Sequence, residues 1–365
     1  MIKRRETKPV RVRNLMIGGS APVSIQSMTS VPLEDVDGTL NQIERLVGEG
    51  AELVRVAVRT EKSIPFLREI RSAVDIPLCA DVHFNYRIAL AAILLGIDKI
   101  RINPGTLGNP EEVMEVVRAA RDHGVPIRIG VNSGSVDLKK YGAVTPETLV
   151  QSAMDHIRIL EENDFREMVI SIKSSDVFQT IEANRLFARS SNYPLHIGLT
   201  EAGFGMNCVI QSSVVVGHLL IEGIGDTVRI SMTGDPVEEV RVARFLLESI
   251  GLRTSAYRII SCPTCGRTDP ALDILALAQE VDSEMIRFIE QLQALGRTMT
   301  IAVMGCEVNG PGEAAHADLG LAGAREGKLL LFARGKKLRR VSAGEAVTAL
   351  MNEAQKIIDS WKRDR

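Results

Sequence analysis

Three of the five cysteines have a spacing that is typical of metal ligands. Cys262 and Cys265 form a C-x₂-C pair, and Cys306 follows in the segment G-C-E-V-N-G-P-G-E. Two thiolates this close can bind one metal centre, and a third ligand from another strand end fits either a zinc site or an iron–sulfur cluster. A zinc site wants a fourth ligand, and His316 or Glu313 could supply it. The spacing alone leaves both metals open.

The other two cysteines, Cys79 and Cys208, fall in a predicted strand and a predicted helix. We expect them to be small buried hydrophobic residues. Five cysteines are too few to cross-link a chain of 365 residues, so reduced thiols are predicted. If a carboxylate completed the thiolate trio, one iron would have a harder and more exchangeable ligand, and it could act as a Lewis acid as well as an electron source.

The elements that position these residues begin with eight short β-branched segments, separated by amphipathic stretches of helical length. The segments are Val23–Thr29, Leu53–Val58, Leu78–Phe84, Lys99–Asn103, Pro126–Asn132, Met168–Ser174, Leu195–Glu201 and Thr227–Ser231. Thr145-Pro146 and Asp235-Pro236 open two of the helices. The count and size predict a (β/α)₈ TIM barrel over residues 1–251, with a doubly wound open sheet as the alternative.

Residues 252–365 have a different pattern and predict a separate small α+β domain that carries the cysteine motifs. Its predicted strands are Tyr257–Ser261, Thr298–Met304, Leu319–Ala322 and Lys328–Phe332, and a final helix is predicted near Gly344–Trp361. The basic run Lys336–Arg340 is expected to be a solvent-exposed face.

Successive strand side chains point to opposite faces, so each barrel strand divides into two sets. One set is apolar and is expected to pack on the helices. The other set should face the lumen, and it is polar: Gln26, Arg55, Asp81, His83, Arg101, Asn103, Arg128, Asn132, Ser171, Lys173, His196, Thr200, Arg229 and Ser231. Five of these are cations, where about two are expected from the 44 Lys and Arg among the 365 residues of the chain.

Cations inside a barrel are costly unless they are paired or hold an anion. Internal salt bridges to Asp81 and Glu201 are one interpretation. The other is a phosphate or diphosphate substrate held at the carboxyl ends of the strands. His83 shares a face with Asp81 and is a candidate for substrate contact or proton handling. Glu201 is a candidate general acid, with a role as a salt-bridge partner as the alternative.

The composition excludes several classes of protein. A formal charge of -2 with 25% charged residues excludes a generally basic nucleic-acid coat. No apolar run approaches the ~20 residues that span a bilayer, and no apolar segment follows the basic N-terminus. We therefore expect a cytoplasmic protein with neither nucleic acid nor membrane as a partner.

Eight segments together resemble the bacterial 4-hydroxy-3-methylbut-2-enyl diphosphate synthases of the methylerythritol phosphate route to isoprenoids. They are Q-S-M-T from Gln26, D-V-H-F from Asp81, R-I-N-P-G from Arg101, I-R-I-G-V-N-S-G-S from Ile127, S-I-K-S-S from Ser171, L-T-E-A-G from Leu199, S-C-P-T-C-G-R-T from Ser261 and G-C-E-V-N-G-P-G-E-A from Gly305. The match covers nearly the whole chain, and the two cysteine motifs are its most specific parts.

The resemblance implies a TIM barrel followed by a [4Fe–4S] domain, without the central domain of plant relatives. It implies Cys262, Cys265, Cys306 and the carboxylate of Glu313 as cluster ligands. The implied reaction is a two-electron reductive ring opening and dehydration of 2-C-methyl-D-erythritol 2,4-cyclodiphosphate to 4-hydroxy-3-methylbut-2-enyl diphosphate. Reduced flavodoxin or ferredoxin would supply the electrons.

The resemblance also implies site residues, and these belong to the set of polar residues that strand alternation predicts to face the barrel lumen. The family positions that hold the diphosphate match Arg55, Arg101, Arg128, Lys173, Arg229 and Ser231. We add Asp81, Asn103, Asn132 and Asn309 as substrate-binding candidates, and we expect Asn309 to order the cluster loop or a substrate hydroxyl. Glu201, His83 and Glu313 are the predicted catalytic residues.

The predicted second domain follows the eighth helix, near the rim opposite the reactive face of the barrel. Members of the resembled family form head-to-tail homodimers, in which the cluster domain of one chain covers the reactive face of the partner's barrel. We expect the same arrangement here. Two alternatives remain: a zinc barrel enzyme acting on a phosphorylated substrate, such as an aldolase or pterin synthase, and an iron–sulfur regulatory module whose barrel only holds a ligand.

Overall fold

The computed structural model describes residues 2–307, 312 and 314–364, without the side chains of residues 104 and 105. The chain forms two compact units, of which the first ends at Arg253 and the second begins at Thr254. The boundary predicted from the sequence lies after Gly251. Asn309 and Glu313, two of the predicted site residues, lie outside the described residues.

The first unit is an eight-stranded parallel barrel, and this confirms the predicted fold over the open-sheet alternative. Its strands are β3 (Ser24–Met28), β4 (Leu53–Ala57), β5 (Leu78–Asp81), β6 (Lys99–Ile102), β7 (Ile127–Asn132), β8 (Met168–Lys173), β9 (His196–Ile197) and β10 (Thr227–Val228). They pair in the order β8-β7-β6-β5-β4-β3-β10-β9. A parallel bridge between Ile170 and Leu195 joins β8 to the start of β9 and completes the circle.

The barrel helices are α1 (Val36–Glu49), α2 (Ile64–Ala73), α3 (Tyr86–Leu94), α4 (Pro104–Leu107), α5 (Pro110–Asp122), α6 (Leu138–Tyr141), α7 (Pro146–Glu161), α8 (Val177–Ser190), α9 (Gly205–Ile221) and α10 (Pro236–Ser249). Local sequence explains their starts. Thr145 accepts a hydrogen bond from the Thr148 backbone N–H, and Asp235 accepts one from Val237. In both helices proline follows the capping residue, at a position whose N–H has no helical partner.

The two faces of the strands are used as the alternation predicts. The apolar set, which includes Val54, Val56 and Ile100, is fully buried in the core between the strands and the helices. The polar set lines the barrel interior at the carboxyl ends of the strands.

An N-terminal hairpin of β1 (Val10–Val12) and β2 (Leu15–Ile17) is absent from the sequence prediction. Its residues Val12 and Ile17 pack against Leu53, Cys79 and Val169, which lie at the starts of barrel strands. The hairpin therefore forms an apolar plug at the amino-terminal end of the barrel. Cys79 is a buried part of this plug, as predicted.

The second unit is a five-stranded mixed sheet with helices packed on one face. Its elements are β11 (Tyr257–Ser261), α11 (Ile274–Met285), α12 (Ile289–Leu295), β12 (Met299–Met304), β13 (Leu319–Gly323), β14 (Lys328–Ala333), β15 (Lys336–Ser342) and α13 (Ala343–Arg363). Strands β11 to β13 are parallel, and β14 and β15 form an antiparallel hairpin at the edge. Arg334 and Gly335, both with positive φ, make its two-residue turn.

Three predicted barrel strands are wrong in their extent. Leu78–Phe84 ends at Asp81 as β5, and the last two strands are shortened further. Leu195–Glu201 reduces to β9 and Thr227–Ser231 to β10, each only two residues long. The ladder ends where Gly198 has a φ of +155°, and a Cβ built there would lie 2.3 Å from the Arg229 carbonyl oxygen. Two backbones approach too closely at this point for a regular pleat with side chains. No helix within the described residues has the length and apolarity that a membrane span requires.

Candidate active site

A cavity of about 220 Å³ opens inside the barrel at the carboxyl ends of the strands. Its lining consists of Arg55, Asp81, His83, Arg101, Arg128, Gly130, Asn132, Ser171, Lys173, Thr200, Arg229 and Ser231. Every lining residue except Gly130 belongs to the set predicted to face the lumen. A larger cavity of about 570 Å³, lined by residues such as Lys8 and Tyr193, lies on the outside of the barrel and contains none of the predicted site residues.

Asp81 is the acidic centre of one side of this cavity. Its carboxylate lies 3.4 Å from Arg55 Nε, 3.2 Å from Arg101 Nη1 and 3.4 Å from His83 Nε2. Burial alone would raise the pKa of Asp81, but attraction to Arg55, the hydrogen bond with His83 and attraction to Arg101 hold that pKa well below its usual range. Asp81 is therefore a fixed anion that orients two cations, as the salt-bridge interpretation predicted.

Arg128 and Lys173 lack such a partner. They are 2% and 7% exposed, and neither forms an ion pair with a carboxylate within the described part of the chain. Burial lowers the pKa of both groups, and neighbouring cations lower it further, Arg55 for Arg128 and Arg128 for Lys173. Buried cations without counter-ions are costly, so this side of the cavity is built to receive an anion.

The partner of Arg229 was missed by sequence reasoning. Glu239 in α10 accepts hydrogen bonds from Arg229 Nε and Nη2, both at 3.2 Å, and from the Met232 backbone N–H at 2.9 Å. Only 3% of Glu239 is exposed. The sequence did contain a signal for this partner, because Glu239 is an acidic residue on the otherwise apolar face of a predicted helix.

Two other predicted residues lie elsewhere. Glu201 is exposed in the loop after β9, has a φ of +55°, and does not line the cavity. Its alternative role as a salt-bridge partner for the lumen cations is not seen in the described residues either, because Asp81 and Glu239 take that role. Asn103 is buried beyond the end of β6, outside the cavity lining.

Two glycines leave the space that the side chains of Arg101 and Lys173 occupy. A Cβ on Gly130 would lie 2.7 Å from Arg101 Nε, and a Cβ on Gly198 would lie 2.7 Å from Lys173 Nζ. Both distances are shorter than van der Waals contact. The guanidinium and the ammonium groups therefore occupy space that any larger residue would fill.

A second polar layer lies deeper in the barrel. Gln26, Lys99, His196 and Thr227 are all 0–1% exposed. The Lys99 ammonium has no hydrogen-bond partner among the described residues, and burial lowers its pKa to about 7. Sequence reasoning left Lys99 out, although the same strand alternation that selected Arg101 also points Lys99 inward.

The cysteines of the second unit come from two neighbouring strand ends. Cys262 follows β11 and Cys306 follows β12, and these strands are parallel and paired. The Gly305 backbone N–H donates to Cys262 Sγ at 3.1 Å. Attraction to the side chains of Cys265 and Cys306 raises the pKa of Arg267, so its guanidinium lies near both thiols. These contacts bring the three thiols to one edge of the sheet.

This edge suits a thiolate-bound metal group. The hydrogen bond from the Arg267 backbone lowers the pKa of Cys265, which favours the thiolate that binds metal. His316 is exposed, and within residues 2–307, 312 and 314–364 no three His, Cys, Asp or Glu side chains are already gathered at metal-binding spacing. Cys208, as predicted, is buried in the barrel core.

The fold and the cavity define a TIM-barrel protein with a cationic interior and a second unit that carries three thiols. The family models GcpE TIM-barrel domain and GcpE protein C-terminal domain match residues 7–244 and 258–356. The chain therefore belongs to the GcpE family, and the family resemblance predicted from the sequence is confirmed.

Curated relatives cover the chain almost completely. A protein of Geobacillus thermodenitrificans is 49% identical over 99% of this chain and 95% of its own length, and one of Caldanaerobacter subterraneus is 46% identical over 98% and 99%. Both are named 4-hydroxy-3-methylbut-2-en-1-yl diphosphate synthase (flavodoxin).

Among solved structures, the dihydropteroate synthase of Stenotrophomonas maltophilia superimposes with a TM-score of 0.50 at 16% identity, over 68% of this chain and 100% of that one. The Yersinia pestis enzyme in complex with a sulfonamide drug also gives 0.50, at 12% identity, over 67% and 100%. At this identity the likeness supports the barrel fold only.

Proposed function

We propose that this protein is an oxidoreductase that converts 2-C-methyl-D-erythritol 2,4-cyclodiphosphate into 4-hydroxy-3-methylbut-2-enyl diphosphate, a step of isoprenoid biosynthesis. The observation that carries the proposal is the excess of buried cations in the barrel cavity. Arg55, Arg101 and Arg229 reach carboxylates, whereas Arg128 and Lys173 do not. A cyclic diphosphate supplies about two negative charges in a compact shape that several cations can contact together.

Most of the charged and polar residues of the cavity have a role in the proposed reaction. The five cations hold the phosphate oxygens and stabilise the diphosphate that forms when the ring C–O bond breaks. Ser231 and Asn132 offer neutral hydrogen bonds, and His83 beside Asp81 can handle a proton. The balance requires two electrons and two protons, and one hydroxyl oxygen leaves as water. Glu201, at the rim, is proposed as the donor of a proton to that oxygen.

The electrons require a redox group, and we propose a [4Fe–4S] cluster held by Cys262, Cys265, Cys306 and the carboxylate of Glu313. The convergence of the three thiols at one sheet edge supports the thiolate part of this assignment. Glu313 and Asn309 enter from the family resemblance. Such a cluster supplies electrons one at a time to a substrate brought next to it. We propose reduced flavodoxin as the donor, with ferredoxin as the other candidate.

Metal analysis and turnover test this proposal. Protein prepared without oxygen should contain about four irons with acid-labile sulfide, and it should consume the cyclic diphosphate with reduced methyl viologen as the donor. Glu313→Ala should leave the protein folded and lose turnover or cluster. Zinc in place of iron, or an iron protein that binds the cyclic diphosphate without reducing it, would refute the proposal.

We also propose that the active site forms between two copies of the chain arranged head to tail. Arg253, the last residue of the barrel unit, donates to the Val23 carbonyl next to the start of β3, so the chain leaves the barrel at the end opposite the cavity. The loops and helix starts that follow the barrel strands expose large apolar side chains, namely Phe84, Leu138, Phe178, Phe204 and Met206. Such a rim around a polar pocket is typical of a surface that another protein covers.

Complementation tests this arrangement. Lys173→Met should inactivate the barrel and Cys265→Ser the cluster unit, so each homodimer should be inactive. When the two variants are co-expressed, half of the dimers should be mixed, and each mixed dimer should hold one intact site. About a quarter of the wild-type turnover per chain is then expected. A co-expressed pair with no activity, or a fully active monomer in sedimentation, would refute the head-to-tail dimer.

A further inference from the structure

The basic run of the second unit has a structure that the proposed reaction does not use. Residues 254–365 contain fifteen Lys and Arg and fourteen Asp and Glu, yet the stretch 325–340 holds seven of the basic residues and only one of the acidic ones. Most of this positive charge lies in β15, whose first five residues are all exposed. The charge of the second unit is therefore concentrated on one edge of its sheet.

Strand alternation divides these cations between the two faces of the sheet. Lys337 lies opposite Phe332 and Lys336 lies opposite Ala333, and a bulge between Leu331 and Phe332 leaves Leu338 outside the register. Phe332 belongs to the small apolar cluster that Cys262 packs against, whereas Ala333 packs on the helix side. Paired residues in an antiparallel ladder share a face. Lys337 therefore faces the side of the sheet that carries the cysteines, and Lys336 faces the other side.

Arg340 connects this strand to the cysteine loop directly. It lies opposite Leu330, another member of the cysteine-side cluster, and its guanidinium forms an ion pair at 2.8 Å with Glu307. Glu307 follows Cys306 in the sequence. Strands β12 and β15 are three strand spacings apart, which is roughly 14 Å. A protein bound to the cysteine-side face of β15 would thus lie close to the thiols.

The face combines features that suit a transient protein contact. Leu338, the bulge residue between Lys337 and Arg339, is 46% exposed. Lys336, Lys337 and Arg339 form no ion pair within the described residues, so their charge is available to a partner. An apolar contact bordered by unpaired like charges attracts a surface of opposite sign and allows rapid dissociation, as short-lived electron-transfer contacts require.

We propose that the cysteine-side face of β15, formed by Lys337 and Arg340 beside the exposed bulge residue Leu338, is the docking surface for the electron donor, an electron-carrier protein with an acidic patch around its redox group. This inference rests on the proposed function, because a donor is needed only if the thiols hold a redox cluster.

The two adjacent lysines provide a matched test. Lys337→Glu and Lys336→Glu change the same charge on neighbouring residues of opposite faces. With reduced flavodoxin as the donor, Lys337→Glu should raise the KM for flavodoxin about 5- to 10-fold, and Lys336→Glu less than 2-fold. Higher salt should raise the wild-type KM and affect Lys337→Glu less. Equal effects of the two substitutions, or no effect of either, would overturn the proposal.

A small reductant separates this proposal from the proposed function. Turnover driven by reduced methyl viologen should be the same in both variants and in the wild type, and the iron content should be unchanged. If viologen fails to drive turnover in the wild type, the proposed function is wrong. If viologen works and Lys337→Glu behaves like Lys336→Glu with flavodoxin, only the docking surface is wrong.

Discussion

Asp81→Asn tests whether the cavity is held together by one buried carboxylate. Each of its contacts with Arg55 and Arg101, at 3.4 and 3.2 Å, has a Coulomb energy of about 5 kcal/mol at an effective dielectric constant of 20. Desolvation offsets much of this, and removing one partner of a buried pair typically costs about 3–5 kcal/mol. Because asparagine keeps the shape and one acceptor oxygen, we expect a loss near 3 kcal/mol, or a Tm lower by roughly 6–12 °C.

Thermal unfolding followed by circular dichroism measures this loss, and Asp75→Asn is the matched control. Asp75 pairs with Arg13 at 3.6 Å, but its side chain is fully exposed, so its loss should leave the Tm nearly unchanged. Adding the cyclic diphosphate should raise the Tm of Asp81→Asn more than that of the wild type, since the ligand replaces the missing negative charge. Equal Tm values for the two variants would refute the reasoning.

The same carboxylate predicts a pH dependence. The pKa of Asp81 is lowered in the folded protein, so its stabilisation is fully present above the unfolded pKa of about 4 and is lost as the pH falls below it. The Tm difference between Asp81→Asn and the wild type should therefore be constant from pH 5 to 8 and shrink in stronger acid. A difference that grows on acidification would contradict this sign.

Three further substitutions address the cations. Gly130→Ala should push the Arg101 guanidinium aside and raise the KM for the cyclic diphosphate about 10-fold, whereas Gly134→Ala, whose Cβ meets nothing within 4 Å, should not. Lys99→Met should stabilise the protein, because burial lowers the Lys99 pKa to about 7; the gain in Tm should be largest below pH 7 and vanish as the pH approaches 10.5. Arg128→Met should raise the Tm without ligand and weaken binding at least 10-fold in calorimetry, and a lower Tm would show that Arg128 is structural.

Much of the fold could be predicted from strand alternation. Eight β-branched segments separated by helices with proline-marked starts indicate the barrel, and the alternation within each strand selects eleven of the twelve residues that line the cavity. The N-terminal hairpin could not be predicted this way, because its strands have three residues each and are stabilised by packing under the barrel.

The differences between the predicted residues and the observed cavity lining have a common cause, which is that sequence alternation gives direction but not depth. His196 and Lys99 point inward but lie below the cavity, whereas Glu201 follows its strand but is exposed after a backbone turn at positive φ. Glu239 approaches the cavity from a helix, which strand alternation cannot indicate. The depth of a side chain along the barrel depends on strand tilt and on the residue at which each strand pairing ends. The local alternation of polar and apolar residues indicates neither property.

The charges in the barrel explain why stability and binding should be linked in this protein. Its interior holds Arg55, Lys99, Arg101, Arg128, Lys173 and Arg229, but within the described residues only Asp81 and Glu239 oppose them. The surrounding apolar core and the hairpin plug must offset the repulsion when no anion is bound. A bound diphosphate would neutralise this repulsion among the buried cations. Part of the binding free energy would therefore come from removing an unfavourable electrostatic energy of the unliganded protein. Conversely, mutations that neutralise Arg128 or Lys173, the cavity-lining cations without a carboxylate partner among the described residues, should stabilise the barrel and weaken the site together.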